Sequence, residues 1–446
     1  MKQIATYTHQ SSPVRIPVLL IAAIGWLLLL YLTSGDVARW GIANIPQLAR
    51  VGLVGIAVYL LPGLATLRWL WPGVRLAWTE RIAMACGIGA ALPSLALEVA
   101  HILRIPWSAP LTVIYVLIAL VALVWRQSWP TLALRLPPTI SDHTLLFGGM
   151  IALAFLARMY IVRGLPVGMW GDSYHHTMIA QLLVDNGGLF TSWQPYAPLR
   201  TFTYHFGFHA DVAFFHWFSG VEVPRSLVYT GQWLSVATLP VTYVFTRRLS
   251  GSDTVALWSM LLVGFVNIQP AYYVNWGRYT QLAGQVVLPV LLVCWMVVLE
   301  ARERSWRPIA LAAMMTASLA LIHYIVVLFA ILFLSAYFIG LVVREPRLSL
   351  ARESMLRSLA IVVPAFVLAS PWLWNTLNGY LLQIANNFVA QKAPSAYIAE
   401  RAALQSVAPF YVKTWLIPCA VGGVVLALAR RRWRMLLLLV WGQLLI

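Results

Sequence analysis

Apolar runs long enough to cross a membrane recur along almost the whole chain, and this pattern constrains the fold most. About 13 runs approach the roughly 20 residues that a transmembrane helix needs. They fall at about 17–33, 51–71, 82–100, 110–125, 144–162, 226–246, 253–270, 281–299, 308–322, 323–343, 358–375, 411–429 and from 435 onward. Only 10% of the 446 residues are charged, against about 25% in an ordinary soluble domain. The sequence therefore predicts an all-α polytopic membrane protein with about 13 transmembrane helices, which excludes a soluble globular domain.

The charge distribution predicts the topology. A net charge of +17 arises from 31 Lys and Arg residues against 14 Asp and Glu residues. The basic residues cluster between apolar runs, as in Arg247-Arg248 and 430–432, and such clusters mark cytoplasmic loops. We therefore expect membrane lipids and no nucleic acid as partners, a multi-pass protein of the plasma membrane, and a cytoplasmic N-terminus.

Three segments follow from this topology. Residues 1–143 form a four-helix N-terminal transmembrane extension, and 144–375 form a seven-helix module with a long external loop at 163–225. Residues 376–446 form an external loop and C-terminal transmembrane helices. The last apolar run continues up to Ile446, which suggests that the chain is truncated. Within the first external loop we expect two short interfacial helices, at about 173–185 and 206–218, because neither is long or apolar enough to span.

The titratable side chains concentrate in that external loop, which holds five of the nine His residues. Its clearest motif begins with Asp172, which we predict to be a helix N-cap. His176 then lies one helical turn further on the same face. A carboxylate at a helix start just above the membrane suits a general base or a metal ligand. The alternative is that Asp172 only caps the helix while His175 and His176 face lipid headgroups.

A second motif is Tyr204-His205 followed by His209. His205 and His209 are four residues apart, a spacing that can bind a metal, with Asp172 or His176 as a third ligand. No HExxH motif or Cys partner accompanies them, so we name His205 and His209 only as metal candidates. Interfacial His and aromatic residues give the same pattern.

Two further candidates lie outside the loop. Arg278 stands in an aromatic-rich external turn, 272–281, where a lone Arg can bind an anion such as a phosphate. The alternative is an aromatic belt with a snorkelling Arg. His323 falls where two apolar runs meet and can face the same cavity.

The order of these parts resembles the GT-C superfamily of membrane glycosyltransferases, which includes protein mannosyltransferases, aminoarabinose transferases and oligosaccharyltransferases. A span ends outside, an Asp begins an interfacial helix, a second interfacial helix follows, and the next span returns to Arg247-Arg248. The resemblance covers about 144–375. It departs from the superfamily in its four preceding spans, its single Asp172 followed by Ser173, and a second external loop with Asn275 and Arg278 but no acidic residue. The chain is also similar to a group of bacterial multispan proteins without an assigned activity.

The resemblance implies inverting transfer of a sugar from a polyprenyl-phosphate donor at the outer face of the membrane. Asp172 would be the catalytic general base. Arg278, or a His such as His205 or His209, would stabilise the leaving phosphate. The remaining candidates, His175, His176, Tyr204 and His323, would bind substrate. The sequence assigns no cofactor, leaves a divalent metal open, and identifies no acceptor.

Two other classes of protein stay open from the residues alone. A lipid or solute transporter or flippase places ionisable residues within its spans, whereas the acidic residues here lie near run ends or in loops. A non-enzymatic membrane assembly factor needs no clustering of Asp and His on one face. Convergence of Asp172, His205, His209 and Arg278 on one outward-facing cavity would favour the enzyme.

Overall fold

The computed structural model describes residues 35–71, 76–125, 141–301, 305–379 and 411–444, together with Ile24, Gly25, Leu27 and Asn386. These residues form helices joined by loops, and no strand occurs among them. The predicted span at 17–33 and most of the predicted external loop at 376–410 lie outside the described residues. The prediction of an all-α fold is confirmed for the described part of the chain.

The helices follow the predicted order of spans. They are α1 Gly35–Ala43, α2 Ile45–Leu70, α3 Trp78–Ile102, α4 Ala109–Val124, α5 Asp142–Ile161, α6 Trp170–Asp185, α7 Gly207–Ser219, α8 Val223–Ser250, α9 Asp253–Val266, α10 Tyr272–Asn275, α11 Tyr279–Glu300, α12 Trp306–Ile322, α13 Tyr324–Arg344, α14 Leu348–Asn378, α15 Leu416–Ala429 and α16 Trp433–Leu444. Short π-helical turns lie within α2, at Ile56–Leu60, and within α9, at Leu262–Val266.

Six of the described helices, α2, α3, α5, α11, α13 and α14, are long and apolar enough to cross a membrane. The chain is therefore a membrane protein with several apolar helices. Helix α8 is longer than a span needs, with 28 residues, but it carries buried polar side chains such as Thr230 and Gln232. The number of 13 spans and their orientation stay predictions, because they rest on sequence alone.

Helices α8 and α11 form the centre of the bundle. Of the 28 residues of α8, 20 are buried. In the most apolar 18-residue stretch of α11, 83% of the residues are buried. Helix α3 packs against both of them, and α2 approaches α3 closely enough that a Cβ on Gly63 would stand 2.0 Å from the Ala85 carbonyl oxygen. Small residues permit such close contact between helices in a membrane. The predicted N-terminal extension thus shares one hydrophobic core with the predicted module.

Helix α7 is packed inside the protein, and this corrects the prediction of an interfacial helix at 206–218. A helix does form there, but Phe208, Phe214 and Phe215 are fully buried, and so are His209 and Asp211. Helices α3, α4, α6 and α8 surround it. A helix with aromatic side chains on every face is buried by protein rather than by lipid headgroups on one side.

The basic clusters and the predicted site lie at opposite ends of the bundle. Arg248 and Arg434 contact the two carboxylate oxygens of Glu300 at 2.6 and 2.7 Å. Glu300 ends α11, whereas Tyr279, the neighbour of Arg278, begins it. A helix of 22 residues is about 33 Å long, so the two ends are well separated. Which of the two ends faces the cytoplasm stays a prediction.

Candidate functional site

Four segments that are distant in sequence meet at one end of the bundle. They are the first turns of α6, the Tyr204-His205 loop with the start of α7, the loop before α11, and the junction of α12 with α13. Seven predicted site residues come together there: Asp172, His176, Tyr204, His205, His209, Arg278 and His323. The eighth, His175, is exposed on α6 and adds only a long-range charge interaction with His176.

Asp172 and Arg278 form the solvent-facing part of the site. The Arg278 Nε lies 3.6 Å from the Asp172 Oδ2, and the two side chains are 49% and 48% exposed. Arg278 also lies over the Trp276 ring, with its guanidinium carbon 5.0 Å from the ring centroid. Such an exposed ion pair contributes only about 0–1 kcal/mol. Each of the two side chains can therefore leave its partner and bind a ligand instead, at a small cost in free energy.

Asp172 is not the N-cap of its helix, which corrects the sequence prediction. Helix α6 begins at Trp170, its N-cap is Met169, and no side-chain hydrogen bond caps it. Trp170 has φ +65°, in the left-handed region that bulky residues rarely adopt, and the helix starts at this turn, three residues earlier than expected. The Asp172 carboxylate lies in the first helical turn, and its one ion-pair partner among the described residues is Arg278.

Gly277 brings the Arg278 loop into direct contact with α6. Its φ is +74°, and a Cβ at this position would stand 3.1 Å from both the Asp172 Cβ and the Ser173 Oγ. Only glycine combines this backbone conformation with so close an approach. The spacing between the carboxylate and the guanidinium is thus set by a backbone contact.

The buried imidazoles form two pairs that the sequence spacing does not predict. The His176 Nδ1 lies 2.9 Å from the His209 Nε2, and the ring centroids of His205 and His323 are 4.6 Å apart. Helix α7 begins at Gly207, so His205 precedes the helix and the i, i+4 argument does not apply to it. The helical spacing that suggested a metal site at His205 and His209 is therefore absent, and metal binding by these residues stays a prediction. Across the described residues, no three His, Cys, Asp or Glu side chains are arranged to hold a metal ion.

The imidazoles are neutral at neutral pH. Burial lowers the pKa of His176 to about 4, although Asp172 and the Gly277 backbone oppose the shift. Burial also lowers the pKa of His323 to about 4 and the pKa values of His205 and His209 well below their usual range. Neutral imidazole both donates and accepts hydrogen bonds. Arg278 is therefore the cationic side chain of the site, and His205 and His209 add no positive charge to it.

Aromatic side chains cover the imidazoles. The Tyr204 ring lies against the His205 ring, tilted by 31° with centroids 3.9 Å apart, and Tyr204 remains 38% exposed. Its hydroxyl is hydrogen-bonded to Thr280. Tyr279 and Tyr324 complete the enclosure around His176 and His205. Sequence reasoning did not single out Gly277, Tyr279 or Tyr324, although the first two lie in the aromatic stretch that contains Arg278.

Two small clefts in the described structure lie away from the predicted outward-facing cavity, one at Tyr59 and Trp233 and the other at Trp40 and Tyr229. Asp172 and Arg278 line neither of them. Around the ion pair the site is open to solvent, and enclosure increases inward toward the imidazoles.

Asp211 is a buried acid that the sequence placed at the membrane surface. It is fully buried on α7, and neither carboxylate oxygen has a hydrogen-bond partner. Burial raises its pKa well above the usual range, so the group is neutral. Glu98 on α3 is also buried; one of its oxygens accepts a hydrogen bond from the Trp372 backbone at 2.9 Å and the other has none.

The low pKa values predict a loss of stability in acid. Below pH 6.5 the unfolded chain is protonated at His176 and His323, whereas the folded chain becomes protonated there only near pH 4. The unfolding midpoint of the purified protein should therefore fall as the pH drops from about 6.5 toward about 4. His176→Gln should flatten part of this decline. Identical pH dependence in the parent and in His176→Gln would contradict the assignment.

Fold and site together define an all-helical membrane protein with a half-exposed acid–arginine pair above buried, neutral histidines. The chain belongs to DUF6541, a family of unknown function, whose sequence model matches residues 56–446. The match includes every segment of the site and crosses the predicted boundary at 143–144. Comparison with curated proteins and with solved structures gives no significant match.

Proposed function

We propose that the protein is an integral-membrane glycosyltransferase that moves a sugar from a polyprenyl-phosphate donor to an acceptor at the outer membrane face. One observation carries the proposal: the Asp172 carboxylate and the Arg278 guanidinium lie 3.6 Å apart and half-exposed, at the end of the bundle opposite the basic clusters. The nature of the donor comes from the resemblance to the GT-C superfamily.

The pair supplies the two groups that a single displacement needs. The Asp172 carboxylate accepts the proton of the acceptor hydroxyl as its oxygen attacks the anomeric carbon. The bond between that carbon and the phosphate oxygen breaks, and the configuration at carbon inverts. Arg278 neutralises the charge that develops on the leaving polyprenyl phosphate. The weak exposed ion pair between the two residues leaves both available to substrates.

The proposal is tested by supplying purified protein in vesicles with polyprenyl-phosphate sugars and measuring the release of polyprenyl phosphate. Mass spectrometry of glycolipids and glycoproteins from cells with and without the gene identifies the sugar and the acceptor. Loss of a specific glycoconjugate from the deleted cells is expected. Unchanged glycoconjugates, and no release from any donor, would contradict the proposal.

Arg278→Ala should lower kcat/KM for the donor by about 10²–10³-fold, as expected when one charge-stabilising group is lost. Arg278→Lys should have a smaller effect, because Lys keeps the charge and loses the planar fork that grips two phosphate oxygens. Arg163→Ala is the matched control, since Arg163 is also exposed and lies over a ring, that of Tyr160, outside the site. Equal losses in Arg278→Ala and Arg163→Ala would point to a general surface effect.

A lipid or solute transporter is the second candidate, and one observation favours it. Glu98 and Asp211 are buried acids with unpartnered oxygens, and ionisable groups inside a membrane bundle often mark transport pathways. The vesicle assay separates the two functions. A transporter would move the lipid or solute across the membrane without releasing polyprenyl phosphate.

A further inference from the structure

A buried hydrogen-bonded relay lies directly beneath the exposed ion pair. His176 on α6 and His209 on α7 are joined at 2.9 Å, and both rings are buried. His176 is also hydrogen-bonded to the backbone of Gly277, the residue that precedes Arg278. The His176 imidazole thus connects α6, α7 and the loop before α11. Asp172 lies on the first of these elements and Arg278 on the last.

The hydrogen-bonding roles follow from the acceptor at Gly277. A backbone carbonyl only accepts, so His176 donates its single N–H to Gly277. The Nδ1 of His176 then carries a lone pair, and the Nε2–H of His209 donates to it. The remaining His209 nitrogen, Nδ1, has no hydrogen-bond partner of good geometry, although the Phe206 and His205 backbones lie near enough to favour the protonated form of this ring. The assigned direction requires the His176 Nδ1 to be unprotonated.

The groups that face the relay come from every neighbouring element. On α6 they are Asp172 and His175; on the loop before α11, Arg278; and beside α7, His205. Tyr204 and Tyr279 contact the His176 ring from the remaining sides, with centroids 6.0 and 6.1 Å away. Among these neighbours Asp172 is the one that favours a charged His176, and it is half-exposed.

We propose that His209 is a positioning residue, which acts through His176 and the Gly277 carbonyl to hold Arg278 at its working distance from Asp172. The inference rests on the proposed glycosyl transfer. The exposed ion pair is too weak to fix its own geometry. The backbone contact of Gly277 with α6 sets how closely the loop approaches, and the buried relay holds the loop in that contact. Neither imidazole needs to touch a substrate.

His209→Leu and His209→Gln test the relay. Leu fills the space without a hydrogen-bond donor, whereas the Gln amide donates near the position of Nε2. A displacement of about 1 Å at reacting groups can cost about 10²-fold in rate. We therefore expect His209→Leu to lower kcat by about 10²-fold with donor KM within about threefold, and His209→Gln to stay within about fivefold of the parent.

His216→Leu is the matched control, because His216 lies on the same helix and bonds only the Val221 backbone, at 2.7 Å, away from the site. All variants are compared per folded molecule, after size-exclusion chromatography and thermal unfolding. ¹⁵N chemical shifts of histidine-labelled protein provide a readout that does not need activity. The His176 Nδ1 should show an unprotonated, hydrogen-bonded shift in the parent and lose that bond in His209→Leu.

Three outcomes overturn the inference. His209→Leu with the kcat of the parent would show that the relay is dispensable, and His209→Gln as impaired as His209→Leu would show that shape rather than donation matters. A protonated His176 Nδ1 in the parent would reverse the assigned direction. If the parent protein itself transfers no sugar, the proposed function fails, while the ¹⁵N experiment still decides whether the relay exists.

Discussion

Asp172→Asn is expected to lower the rate of sugar transfer by about 10²–10⁴-fold, the usual contribution of a general base, while the protein stays folded and inserted. Asn preserves the shape of the side chain but its amide oxygen does not take a proton at neutral pH. Folding depends little on this charge, because Asp172 is half-exposed and does not cap α6. Initial rates of polyprenyl-phosphate release in vesicles measure the effect.

Asp185→Asn is the matched control for this experiment. It makes the same chemical change in the last turn of the same helix, where the exposed Asp185 accepts a hydrogen bond from Gln181 at 2.8 Å. Its rate should equal that of the parent. An Asp172→Asn protein that transfers sugar at the parent rate would place the base elsewhere. Absence of donor consumption by the parent would instead favour the transporter.

Gly277→Ala should abolish most activity with a moderate loss of stability. An L-residue at φ +74° costs about 1–2 kcal/mol. The new Cβ would also stand 3.1 Å from the Asp172 Cβ and 3.2 Å from the Ser173 backbone nitrogen, so the loop or α6 must move by a few tenths of an ångström. That movement separates Arg278 from Asp172. We expect a loss of about 10²-fold in kcat/KM, as for other misplaced catalytic groups.

Gly251→Ala isolates the cost of the backbone conformation. Gly251 has φ +70° at the end of α8, and a Cβ there would meet nothing within 4 Å. Both variants should unfold at a lowered temperature, Gly277→Ala at the lower of the two because of its added contact with α6, and only Gly277→Ala should lose activity. Equal activity in the two variants would show that contact between the Gly277 loop and α6 does not matter for the reaction. Thermal unfolding and the vesicle assay on the same samples make the comparison.

The positions of the helices follow closely from the apolar runs, since a run of this length has few alternatives to a helix in a membrane. The incorrect predictions are those in which the spacing of residues in the sequence was used to infer which side chains are neighbours in space. Helix α6 starts at Trp170 rather than after Asp172, so the N-cap was assigned incorrectly. Helix α7 starts after His205, so His205 and His209 do not share the helical spacing that was assumed.

The burial of α7 had no sequence signal of its own. Thirteen residues are too few to span, and His209 and Asp211 made the segment look like a surface helix. Its burial results from α3, α4, α6 and α8 closing around it, and the contacts with α3 join residues more than a hundred positions apart in the chain. Periodicity within one segment does not report them.

The sequence by itself determined that the chain is an all-helical membrane protein and which polar residues are candidates, because apolar runs and scarce charges are properties of composition. Only the tertiary structure decided which candidates meet. It paired Asp172 with Arg278 and His176 with His209. It also left His175 exposed and brought Gly277 against α6. Those pairings depend on how helices that are far apart in the sequence pack against each other, which no local sequence pattern encodes. They also depend on the close contact between the Gly277 backbone and α6, which exists only in the folded bundle.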